Sequence, residues 1–177
     1  MDYEVTPKSR DDIRTLARIL RSFLGIDDVY FDITKILENL HQFDEDFVLE
    51  VIEDTKFQDK YAETFTDISR IKVRESTYVG ACNGNPRDRF TLCHELGHYI
   101  MHHKSTVIGL ARKSNEINPT PAFRSAEWQA NTFAGELLAP YEVTKNYTLD
   151  ELIIKCGMSE SSARIQYREY RKYWILQ

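Results

Sequence analysis

Only three cysteines occur in the 177-residue sequence, at positions 82, 93 and 156, and no two of them form a CxxC pair. Disulfide frameworks and cysteine zinc sites use larger sets of cysteines at short, regular spacings. The cysteine content therefore supports neither kind of site. It agrees instead with reduced thiols in a cytoplasmic protein.

The sequence also lacks long apolar runs and an excess of positive charge. No stretch approaches the roughly 18 uncharged apolar residues that a membrane span needs. The polar, acidic start does not resemble a secretory signal, so we expect a cytoplasmic protein without membrane association. The net charge is −5 and the pI about 5.6, which argues against nucleic acid as the main partner because phosphate backbones are negative.

The apolar residues that are present suffice for a folded domain, since 42% of the sequence is hydrophobic, with ten Tyr and nine Phe. Hydrophobic periodicity first predicts two helices, one begun by a capping box at Ser9 and one capped by Asp32. Further along the sequence, apolar residues recur at every second position. This predicts strands over residues 47–52, 71–74 and 77–82.

Two longer helices follow the predicted strands. Asn85 as the N-cap and Pro86 at the first helical position open a helix that runs to about residue 103. A second helix is predicted over residues 125–138, and the last segment predicts short helices around Gly157. The order of helices, small sheet and helices indicates an α+β fold.

The first of these longer helices contains the sequence HELGH at positions 94–98, an HExxH motif. Residues four apart lie about 40° apart around a helix, so His94 and His98 project together and can bind one metal ion. Glu95 lies about 100° from His94, where it can act on a water molecule without ligating the metal. The motif is typical of zinc peptidases with the glutamate as general base.

A catalytic zinc site needs a third protein ligand beside a position left open for water. His102 continues the histidine stripe but lies a helical turn beyond His98, where it overshoots a metal between the first pair. A third histidine at the spacing of the HExxHxxGxxH class would fall at position 104, which is Lys104. The best remaining candidates are carboxylates of the helix over residues 125–138.

Angular position separates the two glutamates of that helix. Glu127 falls at the edge of the apolar stripe that runs through Ala130, Phe133 and Leu137, whereas Glu136 falls about 180° from Glu127. Because a carboxylate facing the core needs a cation partner, we predict Glu127 as the third ligand. The other glutamate is predicted to be a solvated surface charge. His102, an aspartate or a position filled by water remains an alternative to Glu127.

A longer pattern extends over both helices. Residues 89–102 are RFTLCHELGHYIMH, and residues 127–140 are EWQANTFAGELLAP. These segments resemble the ImmA/IrrE family of metallopeptidases, whose pattern is RFTLxHELGHxxxH followed by ExxANxFAxxLLxP. Ala139, where the family often has methionine, is a minor departure.

The resemblance implies a zincin-like metallopeptidase fold, with a small β-sheet packed on the active-site helix. It implies Zn²⁺ bound by His94, His98 and Glu127, with Glu95 as the catalytic base. Members of the family are bacterial or carried by phages and mobile elements, and several are linked to site-specific cleavage of helix-turn-helix repressors. The implied partner is therefore a protein substrate of that kind. Since no DNA-binding segment precedes residue 9, we expect a stand-alone protease.

Three side chains near the motif are candidates for supporting roles. His102 lies on the metal-bearing face and could stabilise the transition state. Tyr99 falls about 100° from the metal direction, which favours a packed aromatic over an oxyanion donor. Asn131, one turn after Glu127, is placed to hydrogen-bond a ligand imidazole and fix its tautomer. Residues 77–82, as an edge strand, would bind extended substrate by main-chain pairing.

We expect a peptidase domain over residues 1–140 and a helical, helix-turn-helix-like segment over 141–177. Basic residues near the end of this segment are interspersed with glutamates, which favours packing or target docking over DNA contact. The main prediction is a zinc endopeptidase that cuts a repressor. The alternative is an antitoxin-type or regulatory binding protein that keeps the zinc site without proteolysis. A DNA-binding regulator is third, and it predicts DNA affinity that falls steeply with salt.

Overall fold

A computed structural model of the protein describes residues 4–57, 60–101 and 121–175. The described residues are mostly helical with one small sheet, as expected for the α+β class. The helices are α1 (Arg10–Phe23), α2 (Ile33–Asn39), α3 (Glu75–Cys82), α4 (Pro86–Ile100), α5 (Ala126–Leu138), α6 (Tyr141–Thr144), α7 (Leu149–Cys156) and α8 (Glu160–Ile175). The strands are β1 (Val48–Ile52), β2 (Ala62–Phe65) and β3 (Arg70–Arg74). None of these described helices is both long and apolar enough to span a bilayer.

The predicted helix starts are confirmed by their caps. Ser9 begins α1 in a capping box, and Asp32 caps α2 through its side chain. Asn85 accepts hydrogen bonds from the first backbone N–H groups of α4, with Pro86 at the first helical position. Ser125 caps α5. Each cap satisfies N–H groups that have no partner inside the helix, so the start of each helix is fixed by a local contact.

The three strands form one sheet in the order β1-β3-β2. Strand β1 pairs with β3 in parallel, and β2 pairs with β3 in antiparallel. The central strand turns Ile71 and Val73 into the core, where both are fully buried. The predictions of strands at 47–52 and 71–74 are confirmed within one residue at their starts, whereas β2 was not predicted. Strand β2 also contacts helix α4.

The predicted strand over residues 77–82 is wrong, because these residues lie in helix α3. In a strand, positions 77, 79 and 81 would share one face. Thr77 and Ala81 are buried, but Val79 between them is 49% exposed. Burial at a spacing of four with exposure in between is the pattern of a helix. The expected substrate-binding edge strand is therefore not formed by this segment.

Helices α4 and α5 pack against each other at the centre of the core. Leu92 and Leu96 of α4 and Leu137 of α5 are fully buried. A Cβ atom added at Gly97 would lie only 2.9 Å from Cδ1 of Phe133. The two helices can therefore approach this closely only because position 97 has no side chain. This contact lies inside the HExxH motif and brings it against α5.

The C-terminal helices belong to the same core. Leu152 of α7 and Ala163 of α8 are fully buried in it. Arg89 of α4, which is 1% exposed, donates to the backbone carbonyls of Cys156 and Gly157, where α7 ends. The structure thus links the segment after residue 140 to helix α4. A domain boundary at that residue stays a prediction.

Two basic residues of α8 have acidic partners on the same helix. Arg164 lies 2.6 Å from Glu160, and Lys172 lies 2.6 Å from Glu169. These pairs are exposed and contribute little to stability. They do reduce the positive charge that contact with a phosphate backbone would use.

Candidate metal centre and active site

Two histidines of α4 face each other across a short gap. Nε2 of His94 lies 2.9 Å from Nε2 of His98, and the ring centroids are 4.6 Å apart. The spacing of four residues brings the rings together, as expected for one helix face. Two imidazole nitrogens at this distance repel each other unless a proton or a cation lies between them.

Glu127, in the first turn of α5, completes a group of three. Its Oε2 lies 3.4 Å from Nε2 of His94, and its Oε1 lies 3.6 Å from Nε2 of His98. One ligand atom from each of the three residues lies within 4.8 Å of the others. The structure thus brings together the three side chains that the sequence predicts as metal ligands.

The distances within this group fit a small divalent cation. Zinc bonds of about 2.1 Å in a tetrahedral arrangement separate neighbouring ligand atoms by about 3.4 Å. The two Nε2 atoms lie 2.9 Å apart, and each lies 3.4 or 3.6 Å from one carboxylate oxygen of Glu127, so these distances lie around that value. Two imidazoles and one carboxylate are also a donor set of catalytic zinc sites, in which a fourth position stays open for water or substrate.

Asn131 holds the far side of the His94 ring. Its Oδ1 lies 3.1 Å from Nδ1 of His94. A carbonyl oxygen only accepts, so Nδ1–H of the imidazole donates to it. In the neutral ring this leaves the lone pair on Nε2, the nitrogen that faces His98 and Glu127. Asn131 therefore selects the tautomer that can bind a metal.

Glu95 is held by a residue of the sheet. The Glu95 side chain is buried, and the hydroxyl of Thr64 on β2 lies 2.6 Å from its Oε2. The same hydroxyl lies 3.0 Å from the backbone carbonyl of Glu95. Thr64 thus connects β2 to α4 and fixes the orientation of the Glu95 carboxylate beside the histidine pair.

A comparison with known families agrees with this arrangement. The sequence model described as the IrrE N-terminal-like domain, of peptidase family M78, matches residues 24–153. The chain belongs to this family. The matched residues include α4 and α5, and hence every side chain of the group described above. The ImmA/IrrE resemblance predicted from the sequence is therefore confirmed, and the chain carries a metallopeptidase-family domain.

The M78 domain of this chain also resembles a solved structure. A Mycobacterium tuberculosis transcriptional regulator matches with a TM-score of 0.53 and 16% sequence identity. The match covers 86% of this chain and 45% of that protein, so the chain spans less than half the length of this regulator. At such low identity the likeness shows the fold alone. No curated protein sequence matches the chain significantly.

The two glutamates of the M78 site have opposite pKa shifts. Burial raises the pKa of Glu95, and the hydrogen bond from Thr64 opposes this only in part. When His94 is protonated, its Nε2–H donates to Glu127, and this hydrogen bond lowers the pKa of Glu127 to about 2, against the effect of burial. Burial works to lower the pKa of His94, but Glu127 and Glu95 outweigh it and raise this pKa. Glu127 is thus kept ionised, as a ligand must be, while Glu95 is better suited to exchange a proton.

Tyr99 and His102 are the other two side chains that the sequence offers as candidates for supporting roles. Tyr99 is 8% exposed, and its hydroxyl donates to Asp44. Its ring packs edge-on against Phe47, with centroids 5.0 Å apart, and burial raises the pKa of Tyr99 to about 12. These contacts are those of a packed aromatic. His102 lies outside the described residues, so its role stays a prediction.

The prediction that Glu136 is a solvated surface charge is wrong. Glu136 is 1% exposed and accepts hydrogen bonds at 3.0 Å from both Arg10 and Arg14 of α1. The apolar pattern of α5 indicates a single buried stripe. In the structure α1 covers the opposite face, and its arginines neutralise the carboxylate.

Thr64 is the site residue that the sequence analysis missed. The segment around it shows no clear alternation of apolar and polar residues, so no strand was predicted there. Glu63 pairs with Lys72 across the sheet, and this opposite-charge pair is the signal that could have indicated a strand beside β3.

Proposed function

We propose that the protein is a zinc-dependent endopeptidase that hydrolyses a specific peptide bond in a protein substrate. The observation that carries this proposal is the convergence of His94, His98 and Glu127 from two helices. Glu95 lies buried next to the first of these histidines, as a general base requires. Membership of a metallopeptidase family supports the same reaction class.

In this proposal the three ligand side chains hold zinc, and Glu95 moves the proton. Zinc in such a site supplies Lewis acidity, which polarises a carbonyl oxygen and makes water more acidic. Glu95 accepts a proton from the attacking water and then gives it to the leaving nitrogen. Thr64 keeps the carboxylate in place during both transfers, and Asn131 keeps His94 in the ligating tautomer.

The edge strand β2 supports a mode of substrate binding. Among the described strands, β2 pairs with β3 on one side only. An extended peptide that adds to the other side would run beside α4, because Thr64 of β2 contacts Glu95 directly. We expect main-chain pairing to bring the scissile bond near Glu95. Residues 77–82, for which the sequence predicts this role, lie in α3, so we propose it for β2.

The finer proposal is that the substrate is a helix-turn-helix transcriptional repressor of a phage, mobile element or stress regulon. Its support is the ImmA/IrrE pattern in residues 89–102 and 127–140. A protease with one regulatory target needs narrow specificity, so general protein substrates are poor probes of its activity.

The test is cleavage of a candidate repressor by the purified, zinc-loaded protein. If a small helix-turn-helix protein is encoded beside this gene, it is the first substrate to test, and mass spectrometry locates any cut. We expect one cut that disappears with a chelator and returns with zinc. Glu95→Gln should abolish the cut while zinc content, measured by elemental analysis, stays at one ion per chain. If the Glu95→Gln protein instead keeps its biological effect, the antitoxin-type or regulatory binding protein is the better explanation.

A further inference from the structure

The start of helix α5 is held by a distant segment of the chain. Residues 4–8, here called the strap, lie against the turn that precedes α5. The amide of Val5 donates to the carbonyl of Arg124 at 2.8 Å, and the amide of Lys8 donates to that of Phe123 at 3.0 Å. Glu4 pairs with Ser125 in an antiparallel bridge. The strap thus contacts the residues immediately before Glu127.

A buried glutamine joins the strap to the helix. Gln129 is fully buried, and its Nε2 donates to the carbonyl of Thr6 at 2.9 Å and to that of Phe123 at 2.8 Å. Both acceptors are carbonyl oxygens, so the donating atom must be the amide nitrogen. A single NH₂ group therefore connects three segments: the strap, the turn before α5 and α5 itself.

Glu127 lies between two residues that contact the strap. Ser125, on one side, caps α5 and pairs with Glu4; Gln129, on the other, donates to Thr6. The first turn of a helix has fewer internal hydrogen bonds than its middle and frays more easily. A metal ligand there must nevertheless hold its position to within a fraction of an ångström. External contacts can supply this rigidity.

We infer that the strap and Gln129 position Glu127, so that metal affinity depends on residues that never touch the metal. The inference rests on the metal centre of the proposed function. The strap contacts α5 at Ser125 and at Gln129, on either side of Glu127. Gln129 also joins the strap to the turn before α5. Loss of either contact frees the first turn of α5 and weakens the carboxylate as a ligand.

The first experiment compares two buried glutamines in the full-length protein. Gln129→Met removes the bridging amide at nearly constant volume. Gln166→Met is the matched control, because Gln166 is also buried but donates to Tyr170 within α8. Zinc affinity is measured by competition with a chromophoric chelator. We expect Gln129→Met to weaken zinc binding by about 10-fold, as loss of a group supporting a ligand does. Gln166→Met should leave the affinity at the wild-type value.

The second experiment tests the strap without changing α5. Val5→Pro removes the amide that donates to Arg124, whereas Val5→Ala keeps it. We expect Val5→Pro to weaken zinc binding and Val5→Ala to have no effect. Hydrogen exchange of the metal-free proteins should show faster exchange at the start of α5 in Val5→Pro and Gln129→Met only.

The outcomes separate this inference from the proposed function. If the wild-type protein fails to bind one zinc ion, the metal centre itself is wrong. If the wild type binds zinc and both Gln129→Met and Val5→Pro bind it equally well, the strap does not position Glu127. If Gln129→Met fails to fold by circular dichroism, Val5→Pro against Val5→Ala decides the question.

Discussion

The hydroxyl of Thr64 lies 2.6 Å from Oε2 of Glu95, so the edge strand helps to orient the proposed general base. Glu95 is buried, and a buried carboxylate loses stabilisation when its hydrogen-bond donor is removed. A strand that binds the substrate backbone would then also set the angle of the group that moves the proton.

Replacement of Thr64 by valine keeps the shape of the side chain and removes its hydroxyl. We expect kcat for repressor cleavage to fall by about 10-fold, since a hydrogen bond to a charged group contributes about 1.5 kcal/mol or more. KM should change little, because Thr64 acts through Glu95. Steady-state kinetics measures both constants. Thr64→Ser, which keeps the hydroxyl, should restore kcat, and wild-type kcat in Thr64→Val would show that the contact has no role.

A second prediction concerns Asn131, whose Oδ1 lies 3.1 Å from Nδ1 of His94. In Asn131→Ala the ring loses the acceptor that fixes its tautomer. Zinc affinity should therefore fall by about 10-fold. Competition with a chelator measures the change. Asn39→Ala, which removes an exposed asparagine bonded to its own helix, is the control and should bind zinc normally. Equal affinities of the two variants would mean that another group orients the imidazole.

The helices of the site could be predicted because their signals are local. Asn85, followed by Pro86, caps α4, and Ser125 caps α5. Each cap acts within one turn, so a few residues are enough to predict where each helix starts. The spacing of His94 and His98 likewise fixes their shared direction. These parts of the fold depend on sequence neighbours only.

The parts that were missed depend on residues far away in the sequence. Strand β2 exists because β3 offers it a pairing edge, and its own residues carry no alternating pattern. Thr77 and Val79 favour strands locally, yet packing turns their segment into α3. Because the local pattern predicts the edge strand at residues 77–82 and not at β2, the sequence does not place Thr64 beside Glu95.

Glu136 was also predicted wrongly because its partners, Arg10 and Arg14, lie far away in the sequence. Its burial gives a third prediction. Its carboxylate is fully buried between Arg10 and Arg14, whose side chains are 14% and 10% exposed. Glu136→Gln leaves two largely buried guanidinium groups without their shared anion. We expect the free energy of unfolding, measured in urea, to fall by about 3 kcal/mol. Glu142→Gln removes an exposed partner of Arg18 at 3.8 Å and should cost less than about 1 kcal/mol. Equal losses would show that burial of this ion pair adds nothing.

The cysteines give a fourth prediction, because only one of the three is exposed. Cys82 is exposed, whereas Cys93 and Cys156 are fully buried. Burial raises the pKa of Cys93 to about 12 and that of Cys156 to about 11, so few thiolates form there at pH 8. Iodoacetamide should modify Cys82 first in the native protein and all three after denaturation, as mass spectrometry will show. Zinc affinity should survive alkylation of Cys82, since the ligand set contains no thiolate. Rapid native labelling of Cys156 would contradict the packing of α7 on the core.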